Sequence, residues 1–459
     1  MFEKSVKEIC EMLDVKNDLS KFEDIVIQGV SIDTRKIEKG NLFVPFKGEN
    51  VDGHQFVRNA IEKGASAALW DVNVPNPPED IPVFVVEDPL LALQSLANQY
   101  RHQLDLKVVG ITGSNGKTTT KDIVANILAV KYKVHKTQGN YNNHIGLPLT
   151  ILSLPHDAEV AVLEMGMSGF GEIELLSTIS QPDAAIVTNI GESHLQDLGS
   201  REGITKAKLE IVEGLKKDGL FAYYGDEPLL QEQVKELKVK HVKTFGRSEF
   251  NSIYPTKIEM NQNGSYFETS LAKGEMFFLP VLGQHNIHNA LAAILIAKEF
   301  NVTVEEMKEG LKSLKLTQMR MEMVEGKKGE KIINDAYNAS PTSMKAAIQL
   351  VSELEGYHTK MLILGDMLEL GDKEEEFHYE IGTLIDPEKV QHVFTYGNLG
   401  SVIAKGALEH FSSERVHSFT DKKALEDELS TLIKGEELLL FKASRGMKLE
   451  EIIEGIKKS

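Results

Sequence analysis

Residues 113–119 read GSNGKTT, and these residue types at this spacing could hold the phosphates of a nucleotide. Glycines let successive backbone amides point into one concavity, a lysine reaches the terminal phosphates, and a threonine hydroxyl can bind Mg²⁺. The residues that we assign to this nucleotide site are Gly113, Ser114, Asn115, Gly116, Lys117, Thr118 and Thr119. Ile111 stands where the strict phosphate-loop pattern has glycine, so the loop is a variant. An ordinary turn with a solvated lysine is the alternative interpretation.

Further polar residues follow apolar runs in the same region. Glu164 ends the run EVAVLE, and His194 follows AAIVTNI. A carboxylate at the end of a strand beside the loop is a typical Mg²⁺ ligand, and open α/β sheets bind ligands at this edge. We expect Glu164 to serve the metal and His194 to lie nearby, although a solvated acid and a surface histidine would fit each residue taken alone.

The base of the nucleotide can also be predicted. The sequence has no N-K-x-D segment of the kind that reads guanine, which favours ATP over GTP. Asn286 or Asn289, in GQHNIHNALAAI, could read an adenine edge. An N-cap role also suits Asn286.

The elements that position these residues form an α/β protein. KVVGIT is a strand by composition, and residues 117–130 have helical apolar spacing, so the glycine-rich segment lies at a strand-to-helix turn. Apolar runs alternate with helical segments over residues 106–317, which predicts a central parallel-sheet domain. Residues 250–282 predict antiparallel strands with NQNG as a turn, and residues 285–314 a helical pair. The alternation restarts at 318–459 as a second doubly wound unit, and residues 1–105 form a small α/β domain.

Composition excludes several classes of protein. The formal charge of −18 (51 basic minus 69 acidic residues) opposes nucleic-acid binding. No apolar run approaches the ~18 residues of a membrane helix, and no secretory signal is visible. A single cysteine, Cys10, excludes a disulfide framework. We expect a cytoplasmic monomer that does not insert into membranes.

A family resemblance rests on several motifs taken together. GITGSNGKTT, LEMG, TNIGESHL, KAKLEI, GQHNIHNALAA and INDAYNASPTSM, in this order, resemble the Mur ligases of bacterial cell-wall synthesis. TQGNYNNHIGLPLT, LEMGMSGFGEI and LGDMLELG are similar to the branch that joins D-alanyl-D-alanine to UDP-N-acetylmuramoyl-tripeptide. The resemblance covers nearly the whole chain. It implies a uridine-nucleotide domain, a phosphate-loop ATPase domain and a Rossmann-like C-terminal domain.

The resemblance also implies a chemistry, the ATP-driven formation of an amide through an acyl phosphate. Lys117, Glu164, His194 and Lys208 would be catalytic. Thr118 and Glu164 would hold one Mg²⁺, and His194 would help to hold a second. Lys208 in AKLEI matches the lysine that the family carboxylates with carbon dioxide, although Lys206 is a competitor and only the spacing to Ile211 favours Lys208. Sequence alone indicates a solvated helix lysine.

The remaining assignments carry over residue by residue. Arg320 and Asp335 would contact the nucleotide from the third domain, although an exposed linker cation and a helix-capping acid are the plain alternatives. The muramoyl-peptide channel would be lined by Asn140, Asn142 and Asn143. The dipeptide site would include Tyr337, Asn338, Ser340 and Arg445. The uridine-nucleotide domain would contribute Asp33, Thr34, Arg35, Lys47 and His54. A reaction that needs three domains predicts closure about hinges near residues 105 and 317.

Two other functions are compatible with the phosphate loop. One is a related ligase, either another Mur ligase or a folylpolyglutamate synthase, but NYNNHIGLP and the N-terminal domain argue against the folate enzyme. The other is a nucleotide-regulated interaction protein, for which Glu164, His194 and Lys208 would be unnecessary. Both lysine and diaminopimelate at the third peptide position fit the sequence.

Overall fold

The computed structural model describes residues 2–49, 51–261 and 263–458. Three α/β units follow one another along the chain, each built on a mainly parallel sheet. This confirms the predicted fold class, while the boundaries at 105 and 317 stay predictions. Among the described residues, no helix is long and apolar enough to cross a membrane.

The first unit has a four-stranded parallel sheet in the order β3-β4-β5-β6 and a separate antiparallel pair, β1-β2. Its elements are β1 (Glu3–Ser5), α1 (Val6–Met12), β2 (Val26–Gln28), β3 (Val30–Ser31), β4 (Leu42–Phe43), α2 (Val57–Glu62), β5 (Ala67–Asp71), β6 (Val83–Val86) and α3 (Pro89–Gln103). The Asp88 carboxylate caps α3, and Pro89 starts it, which is the arrangement expected of an N-cap followed by proline.

The second unit carries a six-stranded, all-parallel sheet in the order β12-β11-β10-β7-β9-β8. Its sheet and covering helices are β7 (Lys107–Thr112), α4 (Lys117–Leu128), β8 (Val134–Lys136), α5 (Gly146–Leu152), β9 (Val160–Glu164), α6 (Glu172–Ser180), β10 (Ala184–Val187), α7 (Leu195–Leu198), α8 (Arg201–Leu209), β11 (Leu220–Tyr224), α9 (Pro228–Gln233) and β12 (His241–Phe245). Strands β7, β9 and β10 are almost wholly buried, as expected for a sheet covered on both faces.

An antiparallel sheet and a helical pair complete the second unit, as predicted. They are β13 (Pro255–Asn261), β14 (Gly264–Thr269), β15 (Ala272–Leu279), α10 (Gln284–Glu299) and α11 (Val304–Lys312). Strands β13 and β14 pair up to Asn261 and Gly264 of the predicted NQNG turn, in which Gln262 lies outside the described residues. Helices α10 and α11 pack on α4, so the helix behind the phosphate loop is buried on most sides.

The third unit is the predicted second doubly wound domain, with strand order β16-β17-β21-β18-β19-β20. Its elements are β16 (Glu322–Glu325), β17 (Lys331–Asn334), α12 (Pro341–Glu353), β18 (Lys360–Gly365), α13 (Glu374–Thr383), β19 (His392–Tyr396), α14 (Gly400–Ala407), β20 (Val416–Phe419), α15 (Lys422–Leu432), β21 (Leu438–Lys442) and α16 (Glu450–Lys458). Among the described strands of this sheet, β16 at the edge is the one antiparallel to its neighbour.

The first and second units share one apolar core. Phe2 and Val6 of the first belong to the same buried cluster as Leu147 and Leu163 of the second. The buried guanidinium of Arg101 reinforces the junction, because its Nε donates to the Ser180 carbonyl at 3.0 Å. The third unit has two clusters of its own on the two faces of its sheet.

Candidate active site

The glycine-rich segment forms the turn between β7 and α4, as its sequence predicts. Gly113 has φ +147° and Gly116 has φ +79°, conformations that favour glycine. Space is also limiting, since a Cβ on Gly113 would lie 1.8 Å from Thr188 Oγ1 and one on Gly116 2.7 Å from Asn289 Oδ1. The two glycines therefore let the loop pass close to β10 and α10, with Lys117 starting α4.

Residues after β10 fix the tip of the loop. The Thr188 hydroxyl donates to the Asn115 carbonyl at 2.6 Å. The Asn189 amide accepts from the Asn115 N–H at 2.9 Å and donates to the Asn115 carbonyl at 3.1 Å. These bonds hold the loop open before any ligand binds, which lowers the ordering cost of binding a phosphate.

Lys117 lies over this loop. Its Nζ donates to the Gly113 carbonyl at 2.7 Å. Burial lowers its pKa; Glu164 opposes this effect and the nearby Arg320 adds to it. An anion in the cavity would give the ammonium a better partner than the carbonyls it now contacts.

Glu164 ends β9 as a buried carboxylate, 2% exposed. Its Oε1 accepts from Asn142 Nδ2 at 2.9 Å, and its backbone N–H donates to the Thr137 hydroxyl. Its Oε2 is buried with no hydrogen-bond partner among the described residues. A buried oxygen of this kind is costly unless something pairs with it, so the donor set fits a hard cation such as Mg²⁺. No cluster of three or more acidic, histidine or cysteine residues suited to a metal occurs in the described part of the chain.

Lys208 is fully buried near the end of α8, at 1% exposure, which makes the interpretation as a solvated helix lysine wrong. Lys206, two residues earlier, is the exposed one. Burial, together with the positive charge of Lys117, holds the pKa of Lys208 well below its usual value. No described residue forms a hydrogen bond or ion pair with the Lys208 amine, which is therefore an uncompensated group beside the phosphate loop.

His194 contacts the third unit. It has φ +64°, and its Nδ1 lies 2.8 Å from Glu369 Oε2. Hydrogen bonding to His194 lowers the pKa of Glu369. The Gln196 N–H also donates to the Glu369 carbonyl, at 3.4 Å. The imidazole thus lies against a carboxylate 175 positions later in the sequence, and this close contact joins the second and third units.

The third unit reaches the loop through Arg320, whose Nη2 donates to the Thr118 hydroxyl at 3.2 Å. The guanidinium also stacks over the Tyr337 ring, 4.1 Å from its centroid. These contacts make the alternative of an exposed linker cation wrong. Arg320 Nε is buried without a partner in the described chain, so the guanidinium keeps donor capacity for a ligand.

Asp335 follows β17 and is paired with a buried cation. Its Oδ2 accepts from Lys442 Nζ at 2.5 Å, and its Oδ1 accepts from the Met321 N–H at 3.2 Å. Lys442 also donates to the Asn338 carbonyl at 3.0 Å. Ser340, rather than Asp335, caps the following helix α12, so the alternative of a helix-capping acid is wrong.

A cavity of about 380 Å³ lies between the loop and the third unit. Eleven predicted residues line it: Ser114, Asn115, Gly116, Lys117, Thr118, Thr119, Asn286, Asn289, Arg320, Asp335 and Asn338. Asn286 is not an N-cap, because Gly283 precedes α10 and the Asn286 amide donates back to the Leu282 carbonyl. The cavity has the size and mixed polar lining of a small-ligand site.

Of the predicted peptide-site residues, Asn338 lines this cavity, and the others lie outside its lining. Asn142 contacts Glu164, and Asn143 Oδ1 accepts from the N–H groups of Ile145 and Gly146 at the start of α5. Asn140 is exposed in the same loop. These asparagines therefore order the segment beside the buried carboxylate.

Across the cavity, the Ser340 hydroxyl donates to the Asn115 side chain at 3.3 Å. The Arg445 guanidinium lies 6.0 Å from the Tyr337 ring and pairs with Glu450 at 2.6 Å. The Ser340 hydroxyl therefore joins the third unit to the loop tip, whereas the Arg445 contacts lie within the third unit.

The five predicted residues of the first unit do not line this cavity. Arg35 and Asp33 form a two-bond ion pair at 2.9 and 2.8 Å, which lowers the pKa of Asp33 to about 2. Thr34 offers its carbonyl to Lys63, and Lys47 is exposed beside Asp52. His54 is buried against Trp70, with Nδ1 at 2.6 Å from Asp52 and Nε2 accepting from the Asp71 N–H. Both His54 nitrogens are therefore used within the unit.

Several lining residues were not among the predicted nucleotide-site residues. They are Thr188, Asn189, Ile190, Arg201, Tyr224, Glu227, His285, His288, Met321, Thr342, Ser343, Ala346 and Lys442. Three carried a usable signal: His285 lies one helical turn before Asn289, His288 is adjacent to it in the same motif, and Lys442 ends an apolar strand. Arg201 and Glu227 had none, since their pairing at 2.8 Å joins separate helices.

Comparisons with known proteins agree with this arrangement. Residues 26–101 match the Mur ligase family catalytic domain, residues 111–297 the Mur ligase middle domain, and residues 319–445 the Mur ligase glutamate ligase domain. A Bacillus subtilis (strain 168) protein named UDP-N-acetylmuramoyl-tripeptide--D-alanyl-D-alanine ligase is 54% identical over 458 residues, 99% of each chain. The chain belongs to the Mur ligase family.

Solved Mur ligase structures resemble the whole of this Mur ligase. MurF from Acinetobacter baumannii superposes with a TM-score of 0.89 at 29% identity, covering 100% of this chain and 99% of that one. MurF from Thermotoga maritima in complex with ADP gives 0.82 at 30% identity, covering 94% and 97%. The three-unit architecture is therefore that of complete enzymes of the family.

Proposed function

We propose that this Mur ligase joins the amine of D-alanyl-D-alanine to the terminal carboxylate of UDP-N-acetylmuramoyl-tripeptide, with ATP converted to ADP and phosphate. The observation that carries the proposal is the contact between Arg320 of the third unit and Thr118 of the phosphate loop. Because of this contact, residues of two domains together form the proposed nucleotide site. The full-length similarity to a relative named for this reaction supports the choice of substrates.

The reaction begins with activation of a carboxylate. The peptide carboxylate oxygen attacks the γ-phosphorus of ATP, and ADP leaves, which gives an acyl phosphate. The dipeptide amine then attacks the acyl carbon, a proton is released, and inorganic phosphate departs as the amide forms. Phosphorylation is needed because a free carboxylate has a poor leaving group at neutral pH.

The residues of the cavity address the charge problem of the first step. Two anions must approach each other, and the cationic side chains of Lys117 and Arg320, which both line the cavity, would stabilise the transferred phosphate. The amides of the loop and the start of α4 add partial positive charge. These groups are fixed in place by Thr188, Asn189 and Tyr337, so little reorganisation is required when charge develops.

Thr118 and the unpartnered Glu164 Oε2 would hold Mg²⁺, which would neutralise phosphate charge. A second ion would be served by His194, held by Glu369, and by Lys208 in its carbamylated form. Burial lowers the pKa of Lys208 and so favours the neutral amine, which would add carbon dioxide with loss of a proton to give an anionic carbamate ligand. The buried amine would thereby become an anion that can hold the metal.

The peptide substrates would occupy opposite sides of the phosphate loop. We assign the muramoyl-peptide to the loop of Asn140, Asn142 and Asn143, because Asn142 touches the proposed metal ligand Glu164. The dipeptide would lie near Tyr337 and Arg445, whose guanidinium suits a terminal carboxylate. The remaining predicted dipeptide residues, Asn338 and Ser340, lie beside the loop tip.

The first unit would hold the uridine nucleotide. Asp33, Thr34, Arg35 and Lys47 are all accessible at least in part. His54 would act indirectly, by shaping the loop that begins at Asp52. The enzyme would act as a monomer, and closure about residues 105 and 317 would bring the three sites together. Scattering profiles that superimpose with and without an ATP analogue and UDP-substrate would contradict the closure.

The experiment that tests the function measures phosphate release from ATP and Mg²⁺ with UDP-N-acetylmuramoyl-tripeptide, with and without D-alanyl-D-alanine. Product mass is read in parallel. We expect phosphate release coupled to UDP-N-acetylmuramoyl-pentapeptide, and parallel substrates with lysine or diaminopimelate identify the third residue. ATP turnover that ignores both substrates, with no new amide, would refute the ligase.

A further inference from the structure

One face of α4 carries the connection to the third unit. Thr118, Asp122 and Asn126 follow one another at steps of four residues and therefore lie on the same side of the helix. Each of them contacts the segment that runs from α11 towards the third unit. The contact of Thr118 is the one with Arg320.

The other two contacts order this segment along the helix. Asn126 Nδ2 donates to the Gly310 carbonyl at 2.6 Å and to the Ser313 hydroxyl at 3.0 Å, both within or directly after α11. Asp122 Oδ2 accepts from the Thr317 N–H at 2.8 Å. The segment thus runs antiparallel to α4, from Asn126 past Asp122 to the phosphate loop.

Asp122 is an unusual residue for such a position. It is 1% exposed, and its Oδ1 lies 2.6 Å from Lys136 Nζ and 3.5 Å from Lys121 Nζ. Lys121 is equally buried. A carboxylate held by two cations has little freedom to move, and its hydrogen bond to the Thr317 N–H is charge-assisted.

The chain beyond Thr317 is strained. Met319 has φ +60° and Met321 φ +50°, conformations that side-chain-bearing residues rarely adopt. The Met319 N–H donates to Glu322 Oε2 at 3.0 Å, and the Met321 N–H donates to Asp335 Oδ1 at 3.2 Å. Such strain persists only where surrounding contacts hold the backbone in place. The two strained residues lie immediately before and after Arg320.

We infer that Asp122 is a positioning residue, which anchors the linker at Thr317 so that Arg320, three residues later, reaches the Thr118 hydroxyl. The inference rests on the proposed function, because the consequence concerns the rate of ligation. Among the described residues, Asp122 is the second-unit side chain that holds the linker backbone between Ser313 and Arg320. Its loss would free Arg320 to leave the phosphates while the loop itself stays formed.

The first test is a double-mutant cycle on the rate of ligation. Asp122→Ala should lower kcat about 10- to 100-fold, the scale of effect expected when a charge-stabilising group is misplaced by about 1 Å. In an Arg320→Ala background, Asp122→Ala should lower kcat by less than about threefold, because no guanidinium remains to be positioned. Asp122→Asn keeps an oxygen that can accept from Thr317 and should recover most of the rate.

Asn126→Ala is the matched control, because it removes a linker-side contact from the same helix face but upstream of the hinge. Its kcat should stay within about twofold of the parent protein. The inference would be overturned if the fold-losses in kcat of the two single variants multiplied in the Asp122→Ala/Arg320→Ala protein. Equal losses of kcat in Asp122→Ala and Asn126→Ala would also overturn it. An Asp122→Ala protein with full activity would do so as well.

A second readout does not depend on activity. Hydrogen exchange of the peptide covering residues 314–321 should accelerate at least about tenfold in Asp122→Ala and remain unchanged in Asn126→Ala, because the Thr317 N–H loses its acceptor. Asp122→Asn keeps an acceptor for the Thr317 N–H and should exchange at nearly the parent rate, and Asp122→Leu, which has a similar shape and no acceptor, replaces the alanine variant if that variant does not fold. Unchanged exchange would refute the anchor. If the parent protein makes no pentapeptide while exchange is still faster in Asp122→Ala, the proposed ligase activity is refuted and the anchoring role of Asp122 is supported.

Discussion

Gly116→Ala tests whether packing against α10, and not backbone conformation alone, sets the shape of the phosphate loop. Gly116 and Gly274 share the same φ of +79°. A Cβ on Gly116 would lie 2.7 Å from Asn289 Oδ1, whereas one on Gly274 would meet nothing within 4 Å. Gly274 lies in β15, in the antiparallel sheet of the second unit, and is the matched control.

The magnitude follows from these two geometries. Both variants place a side chain in a left-handed conformation, at a cost of about 1–2 kcal/mol. Only Gly116→Ala adds a collision, with a side chain that is 5% exposed and bonded to Asn286, which leaves it little room to yield. Overpacking of this kind costs about 1–3 kcal/mol. The loop can relieve it only by moving, so its nucleotide-binding shape becomes unfavourable by a similar amount.

Isothermal titration with ADP and Mg²⁺ measures the result. Gly116→Ala should bind ADP about 10- to 100-fold more weakly than the parent protein, since 1.4 kcal/mol corresponds to tenfold. Gly274→Ala should bind it within about twofold. If Gly116→Ala binds ADP as tightly as Gly274→Ala, then the loop is not constrained by Asn289 and the reasoning is refuted.

Three further predictions concern buried ionisable groups. Lys442→Met leaves the Asp335 carboxylate without its cation and should destabilise the protein by about 3–5 kcal/mol, and calorimetry should show that Lys442→Met/Asp335→Asn recovers most of this loss. Burial lowers the pKa of His288 from 6.5 to about 4, so the unfolded chain binds a proton before the folded protein does as the pH falls. The free energy of unfolding should therefore decrease by about 3 kcal/mol between pH 6.5 and pH 4. The free energy of unfolding of His288→Phe should not show this decrease. With ¹³C-labelled bicarbonate, NMR should detect a carbamate carbon that persists in Lys206→Met and disappears in Lys208→Met; a signal retained by Lys208→Met would contradict the assignment.

Edge strands account for most of the fold that the sequence pattern missed. The strands β8, β12 and β20 read VHK, HVKTF and VHSF, and each is only partly buried. Their polar residues are tolerated because an edge strand is less completely covered than a central one. The central strands, in contrast, are continuous apolar runs whose pattern leaves little choice of structure.

The sequence by itself determined the local features of this protein. The turn between β7 and α4, its glycines and the placement of Lys117 and Glu164 follow from a few neighbouring residues, because backbone conformation and strand termination are local properties. Motif order along the chain was enough to identify the family. The start of α12 at Pro341 is equally a local consequence.

Tertiary structure alone decided which polar groups meet. Lys206 and Lys208 look alike in the sequence, yet one is exposed and the other buried, because α8 turns only one of them towards the phosphate loop. The pairs His194 with Glu369 and Asp122 with Thr317 join residues more than 170 positions apart. Such pairings depend on how the domains pack, and packing is a property of the whole chain that no local pattern encodes.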